Sequence, residues 1–292
     1  MLPFVNMSED ASNEYFSDGV SEEILNALAQ VKDLKVAGRT SSFAFKGKNQ
    51  DLRQIGEALG VDHILEGSVR KSGNKIRITA QLIQVKDGFH VWSDTYDREL
   101  TDVFAIQDEI ANAILEQLKA QLMGGQQPEV AVARTDTKAY DLYLLAKQRL
   151  YERTGPTIKA AAELLDQAIA LDPNYAPAYA QRGVAALMLS AGTGTYGDTP
   201  RQEALAQAKL DLDKALQLDP NLAEAWAGMG LYYINQPTGG TPAAIEALKK
   251  ALSINPGLID ASNWLANALD GSGKPGESKL VLMDMIERDP LY

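Results

Sequence analysis

The feature that most constrains this chain is an Asx-Pro step that recurs through its second half. The prolines of these steps are Pro173, Pro220, Pro256 and Pro290, at spacings of 47, 36 and 34 residues. Similar side chains return five, eight and twelve residues before each proline: Ala168, Ala215, Ala251 and Met285; Leu165, Leu212, Leu248 and Leu282; Ala161, Ala208, Ala244 and Ser278. Because proline stops a helix that precedes it, this recurrence predicts a series of similar helical units.

The residues that follow the prolines repeat as well. The positions six and ten residues after each of the first three prolines are occupied by Tyr179 and Gly183, by Trp226 and Gly230, and by Ser262 and Ala266. A period near 34 with this pattern resembles the tetratricopeptide repeat. The resemblance covers residues 136–292 and implies about four antiparallel helix pairs stacked into a superhelix. The longest spacing is explained by a loop insertion near residues 192–200.

The first half has a different pattern and predicts an α/β domain over residues 1–123. Apolar residues every three or four positions predict helices over residues 16–31, 51–59 and 101–122, and alternation predicts strands over residues 61–71, 76–82 and 92–96. Short apolar segments predict two more strands, at residues 2–5 and 34–36. Gly73-Asn74 is a typical tight hairpin turn. The predicted order is β-α-β-α-β-β-β-α, which makes the whole chain α+β.

A break in the pattern separates the two halves. Residues 124–128 read Gly-Gly-Gln-Gln-Pro, which suits neither a helix nor a strand. We therefore predict a linker over residues 124–135 between the α/β domain and the repeats. A core strand that starts at residue 2 also predicts that the chain is a piece of a longer protein.

Six stretches of the first half resemble the TolB amino-terminal-like, or FlgO-like, domain of bacteria. They are Leu2–Phe4, Glu14–Gly19, Ala37–Gly47, Ile55–Val61, Leu65–Arg70 and Tyr96–Leu100. In that family the domain and its repeats commonly follow a class III adenylate cyclase or a winged-helix regulator, joined through a transmembrane helix. The resemblance implies a regulatory or sensory module in the periplasm, with the cytoplasm left open, and it implies no catalytic residue.

The composition excludes several kinds of function. The chain has no cysteine and only two histidines, His63 and His90, so thiol catalysis, cysteine metal sites and multi-histidine metal sites are excluded. A net charge of −11 argues against nucleic-acid binding. No apolar run is long enough to span a membrane. We predict a non-enzymatic chain without a cofactor or metal.

The leading hypothesis is that the repeats bind a protein or peptide in their groove. The first helix of each pair lines the inner face of such a superhelix. Alignment on the repeat positions predicts that the groove is lined by Tyr140, Tyr143, Ala180, Val184, Leu187, Ala227, Leu231, Ile234, Asn263 and Asn267, with Asp260 beside them. The groove is predicted to be apolar in its middle and polar at one end. A competing possibility is that other parts of the chain fill it.

Two further expectations concern other surfaces. The rival function is a small-molecule receptor, with a pocket near residues 14–19 and 39–47, although Phe16, Phe43 and Phe45 there are also suited to a purely structural role. The last repeat has no polar capping helix after it, and solenoid proteins need such caps for solubility. This predicts a homo-oligomer formed through the last repeat, or further residues that cover it.

Overall fold

The computed structural model describes residues 1–31, 34–48, 50–118, 134–192, 196–237 and 240–292. The chain forms two compact units, one of residues 1–132 with 286–292 and one of residues 133–285. The predicted linker lies outside the described residues except for Arg134 and Thr135. The repeat pattern gave no indication that residues 286–292 belong to the first unit.

The first unit contains a four-stranded sheet. Its strands are β1 (Val5–Asn6), β2 (His63–Ser72), β3 (Lys75–Gln84) and β4 (His90–Glu99), in the order β1-β2-β3-β4. β1 runs parallel to β2, and the other pairs are antiparallel. Ser72 lies opposite Lys75, and Gly73 has φ of 56°. The predicted Gly73-Asn74 hairpin is therefore confirmed.

Among the described residues of this unit, four helices accompany the sheet: α1 (Glu14–Ala29), α2 (Arg39–Phe43), α3 (Leu52–Leu59) and α4 (Val103–Leu118). Alternate residues of β3 are buried, namely Ile76, Ile78, Ala80 and Leu82. They lie on the face that α4 covers, whereas Lys75 and Arg77 are exposed on the other face. The period-two alternation thus builds a core between one face of the sheet and the helices.

Two predicted elements of this unit differ in the structure. Residues 34–36 are irregular, so the strand predicted there is wrong. Two apolar residues around a lysine do not specify a strand unless a neighbouring strand pairs with them. The short strand β1, in contrast, is hydrogen-bonded to β2. The predicted helix over residues 101–122 begins instead with a 3₁₀ turn, Leu100–Asp102, and residues 119–122 lie outside the described residues.

The second unit consists of helix pairs. The first helices are α5 (Thr137–Tyr151), α7 (Ala176–Met188), α9 (Ala223–Ile234) and α11 (Ile259–Gly271). The second helices are α6 (Gly155–Leu171), α8 (Arg201–Leu218), α10 (Thr241–Ile254) and α12 (Pro275–Arg288), of which residues 286–288 belong to the first unit. The α+β class with a helical repeat region is confirmed.

The recurring small residues have the role that their spacing predicts. A Cβ atom on Gly183 would lie 2.9 Å from Cγ of Leu212, and one on Gly230 would lie 2.4 Å from Cγ of Leu248. Both leucines stand eight residues before a repeat proline and are fully buried. The glycines therefore allow the two helices of a pair to approach closely around these side chains.

Three of the four Asx-Pro steps close a local turn. In each, the Asx Oδ1 accepts a hydrogen bond from the backbone N–H two residues on, at 2.9 Å: Asp172 from Asn174, Asp219 from Asn221, and Asn255 from Gly257. Such Asx turns fix the chain between one helix pair and the next.

The fourth step, Asp289-Pro290, is used differently and lies within the first unit. Asp289 Oδ1 accepts the backbone N–H of Ser41, in α2, at 2.6 Å. The N–H of Leu291 donates to Ser41 Oγ at 2.7 Å, and the N–H of Gly38 donates to the carbonyl of Arg288 at 2.7 Å. Residues 288–291 therefore cap α2, which lies in one of the six stretches that carry the family resemblance.

Candidate functional site

Half of the predicted groove residues lie in the packing between helices. Tyr140, Tyr143, Ala180, Leu187 and Ala227 are all less than 7% exposed. The ring of Tyr143, for example, meets that of Tyr175 edge-on, with 5.2 Å between centroids. In the structure, these five side chains pack within the repeat unit.

The remaining predicted residues lie nearer the surface. Val184 is half-buried, and its Cγ2 would lie 3.2 Å from a Cβ on Gly228, so it packs against α9. Leu231 and Asn263 are half-buried, Asn267 is exposed, and Ile234 is 38% exposed. The binding role of all ten residues stays a prediction. Its accessible part is Leu231, Ile234, Asn263 and Asn267, which we call the α9–α11 strip.

The α9–α11 strip combines two kinds of side chain. Helices α9 and α11 pack against each other, and Leu231 and Asn267 hold equivalent places, each eleven residues after a repeat proline. Asn267 Nδ2 lies 3.5 Å from Asn263 Oδ1. An apolar patch on one helix therefore adjoins amide groups on the next, and amides can both donate and accept hydrogen bonds.

An ion pair occupies the polar end of the predicted groove. Arg153, in the turn between α5 and α6, places Nη2 at 2.9 and 3.2 Å from the two carboxylate oxygens of Asp260. Arg153 has φ of 49°, a left-handed conformation that costs a residue other than glycine about 1–2 kcal/mol. Sequence reasoning missed Arg153, because no periodicity links residues so far apart in the chain.

The region of the rival pocket is bound together by ion pairs. Arg39 Nε lies 2.8 Å from Glu22 Oε2, and Lys46 Nζ lies 2.6 Å from both Asp18 and Glu14. Burial raises the pKa of the Asp18 carboxyl, although the hydrogen bond and charge of Lys46 oppose that rise. These contacts join α1 to residues 39–46, which supports a structural role for this region.

A cavity of about 520 Å³ lies elsewhere in the first unit. Its apolar lining includes Leu28, Leu59, Leu65, Leu82, Ile114 and Leu118, and its polar lining includes Lys35, Asp62, His63, Glu287 and Arg288. Residues 14–19 and 39–47, where sequence reasoning predicted a pocket, do not line it. Its lining comes from segments far apart in the sequence, so no local motif could indicate it.

Among the described residues, no group of three or more histidine, aspartate or glutamate side chains is arranged to hold a metal ion. Within the same residues, no helix combines the length and the apolar character that crossing a bilayer requires.

A curated relative is similar in sequence to most of the chain. It is a protein of Rhizobium meliloti (strain 1021) named putative adenylate cyclase 3, 38% identical over 215 residues. The match covers 72% of this chain but 37% of the relative, so this chain spans little more than a third of that protein's length. No family model matches the chain.

Solved structures similar to this chain contain tetratricopeptide repeats. One is a thermophilic repeat protein of Thermus thermophilus. The match covers 66% of this chain and 89% of that protein's chain, with 21% identity and a TM-score of 0.43. Another is the first repeat domain of Spaghetti, bound to an HSP90 peptide. The match covers 49% of this chain and 99% of that chain, with 15% identity and a TM-score of 0.36.

Proposed function

We propose that this chain is a non-catalytic interaction module whose repeat unit binds a partner protein or peptide. The observation that carries the proposal is the α9–α11 strip, where apolar side chains and amide groups share one accessible surface. Such a surface suits an extended segment, because amide side chains can pair with backbone N–H and C=O groups while an apolar patch holds one side chain.

The proposal is tested with peptides displayed as a random library and selected on the whole chain. Peptides that bind the wild type are then measured against the double variant Leu231→Asp/Ile234→Asp. We expect at least a tenfold loss of affinity, since the two carboxylates replace apolar contacts. Asn267→Ala should weaken the same peptides less.

The matched control is Leu210→Asp, which introduces the same charge at a leucine on α8 that is 68% exposed. It should leave peptide affinity unchanged, and circular dichroism should show the same helix content for every variant. Peptides that bind the double variant and the wild type equally would exclude the α9–α11 strip as the binding surface.

A second candidate function is a small-molecule receptor, and the cavity of the first unit favours it. Its volume of about 520 Å³ falls within the usual range for ligand sites, about 300–1,000 Å³. An apolar interior with a few charged groups is also typical of such sites. This function would use the first unit, with the repeats as a scaffold.

The receptor hypothesis predicts a rise in melting temperature with a compound that the cavity holds. Val61→Trp would fill part of the cavity, because Val61 belongs to its lining. We expect a screen of small apolar acids and amines to give hits that stabilise the wild type and not this variant. Equal stabilisation of both proteins would contradict the hypothesis.

We further propose that the module regulates a bacterial signalling protein. Two observations support this: the resemblance of the first half to TolB amino-terminal-like domains, and the relative that is named a putative adenylate cyclase. That resemblance also supports a periplasmic location. We assign no cyclase activity to this chain, because the proposed role is to change the output of another domain through occupancy or association.

A further inference from the structure

The cavity of the first unit has an apolar interior. The six apolar lining residues named above are each at most 6% exposed. Leu65 of β2 lies opposite Leu82 of β3, and α1, α3 and α4 add Leu28, Leu59 and Ile114. Such an interior can hold the apolar body of a ligand, but it offers no hydrogen bond to a charged group.

The charged residues of the lining stand at the opening. Lys35, Asp62 and Glu287 are exposed, and His63 and Arg288 are half-buried. A ligand whose body fills the interior would therefore meet these groups with one polar end. The charge that suits this end depends on which of the groups at the opening already have partners.

Both cations of the lining are engaged within the chain. The Lys35 ammonium contacts the Glu287 carboxylate, so these two charges offset each other. Arg288 has a partner within the chain as well. A ligand carboxylate would have to compete with these partners, and exchanging one exposed ion pair for another gains little free energy.

Asp62 is in a different situation. It lies in the short connection between α3, which Gly60 ends with φ of 63°, and β2. The backbone N–H of Val85 donates to the Asp62 carbonyl at 2.8 Å, which fixes the backbone there. Among the described residues, no side chain or N–H group bonds the Asp62 carboxylate. An anion therefore stands at the opening without a counterion from these residues.

His63 adds a second acceptor beside it. His63 and Leu65 are two residues apart on β2, so both side chains lie on the face of the sheet that borders the cavity. The His63 imidazole also has no partner in the part of the chain that the structure describes. A neutral imidazole has one acceptor nitrogen, and a carboxylate only accepts. The free polar groups at the opening are thus suited to a donor.

We propose that the cavity binds an apolar amine, with its apolar body among the leucines and its ammonium at Asp62 and His63. The inference rests on the receptor function proposed above and names the class of ligand. An ammonium has three donors and no acceptor, which matches two free acceptors at the opening. The net charge of −11 also favours the approach of a cation.

The first experiment is calorimetric titration of the whole chain with octylamine, octanol and octanoate, which share one apolar chain and differ in the head group. We expect octylamine to bind about threefold to fivefold more tightly than octanol, the gain of one partly exposed ion pair, and octanoate to bind most weakly. Val61→Trp, which fills part of the cavity, should weaken all three.

The outcomes separate this proposal from the receptor function. Octanol or octanoate that binds as tightly as octylamine would overturn the proposal and leave the receptor function standing. Binding of none of the three would count against both. Octylamine binding that Val61→Trp leaves unchanged would lie outside the cavity and would also overturn the proposal.

A matched pair of variants tests the role of Asp62. Asp62→Asn removes the charge at nearly constant size and should reduce octylamine affinity to that of octanol. Glu57→Gln makes the same change at an exposed carboxylate of α3 that does not line the cavity, and it should preserve the preference. An equal loss in the two variants would show that net charge selects the amine, which would contradict the proposed site.

Lys35→Ala changes the opening in the opposite sense. It removes the partner of Glu287 and so leaves a second carboxylate for the ligand. We expect octylamine to bind about threefold more tightly and octanol to bind as before. Weaker octylamine binding would contradict the proposal. None of these variants changes the α9–α11 strip, so the result is independent of the proposed peptide binding.

Discussion

Asp219 and Asp289 occupy the same place in the repeat but bind different partners. Asp219 accepts the N–H of Asn221, two residues on, whereas Asp289 accepts the N–H of Ser41, 248 residues away. The first bond shapes a turn between helix pairs, and the second caps α2 of the first unit. One motif therefore serves both local and long-range structure, depending on what lies opposite its carboxylate.

Burial separates the two contacts in energy. Asp219 is half-buried and Asn221 is exposed, so water can replace the bond when it breaks. Ser41 and Asp289 are at most 1% exposed, so water cannot reach their bond. A buried donor that loses its partner costs about 1–3 kcal/mol, whereas an ordinary hydrogen bond contributes about 1 kcal/mol.

The largest expected effect follows from Asp289→Ala. The N–H of Ser41 would then be buried without a partner, and we expect about 2–3 kcal/mol less local stability. Hydrogen exchange of the Ser41 and Leu291 amides measures this, because both bonds join the same two segments. Unchanged protection at both amides would show that the cap contributes nothing.

Asp219→Ala should have a smaller effect, below about 1 kcal/mol, because solvent can satisfy the Asn221 amide. The measurement is hydrogen exchange at Asn221 and at the first turn of α9. If Asp219→Ala reduced local stability as much as Asp289→Ala does, burial would not explain the difference between the two hydrogen bonds.

Asp289→Asn should cost less than Asp289→Ala, because an amide oxygen still accepts the Ser41 N–H. Oδ2 of Asp289 has no hydrogen-bond partner among the described residues, so no donor at that oxygen requires a negative charge. The third repeat already has asparagine here, Asn255. Destabilisation equal to that of Asp289→Ala would show that the negative charge itself is needed.

Much of the fold could be predicted from local patterns. The Gly73-Asn74 turn, the alternation in β3 and the proline period each report contacts between residues close in the chain. The strand predicted at residues 34–36 was wrong, because a three-residue pattern leaves its partner open. In the structure, the backbone N–H of Gly38, just beyond that segment, donates a hydrogen bond to the carbonyl of Arg288.

The candidate site was less predictable. Repeat alignment placed Ala180, Ala227 and Asn263 at one equivalent position, yet the alanines are buried and Asn263 is half-buried. Alignment finds which residues are equivalent but not how closely the neighbouring helices cover each one. The same limit hid Arg153, whose partner Asp260 lies in another repeat.

By itself, the sequence determined most of the secondary structure, the repeat and the class of fold, because helix periods, turns and proline stops act over a few residues. Only the tertiary structure decided that Asp289 caps α2, that Arg153 meets Asp260, and that a cavity opens among α1, α3, α4 and the sheet. These contacts join residues far apart in the chain, and their energies depend on burial, which no local spacing records.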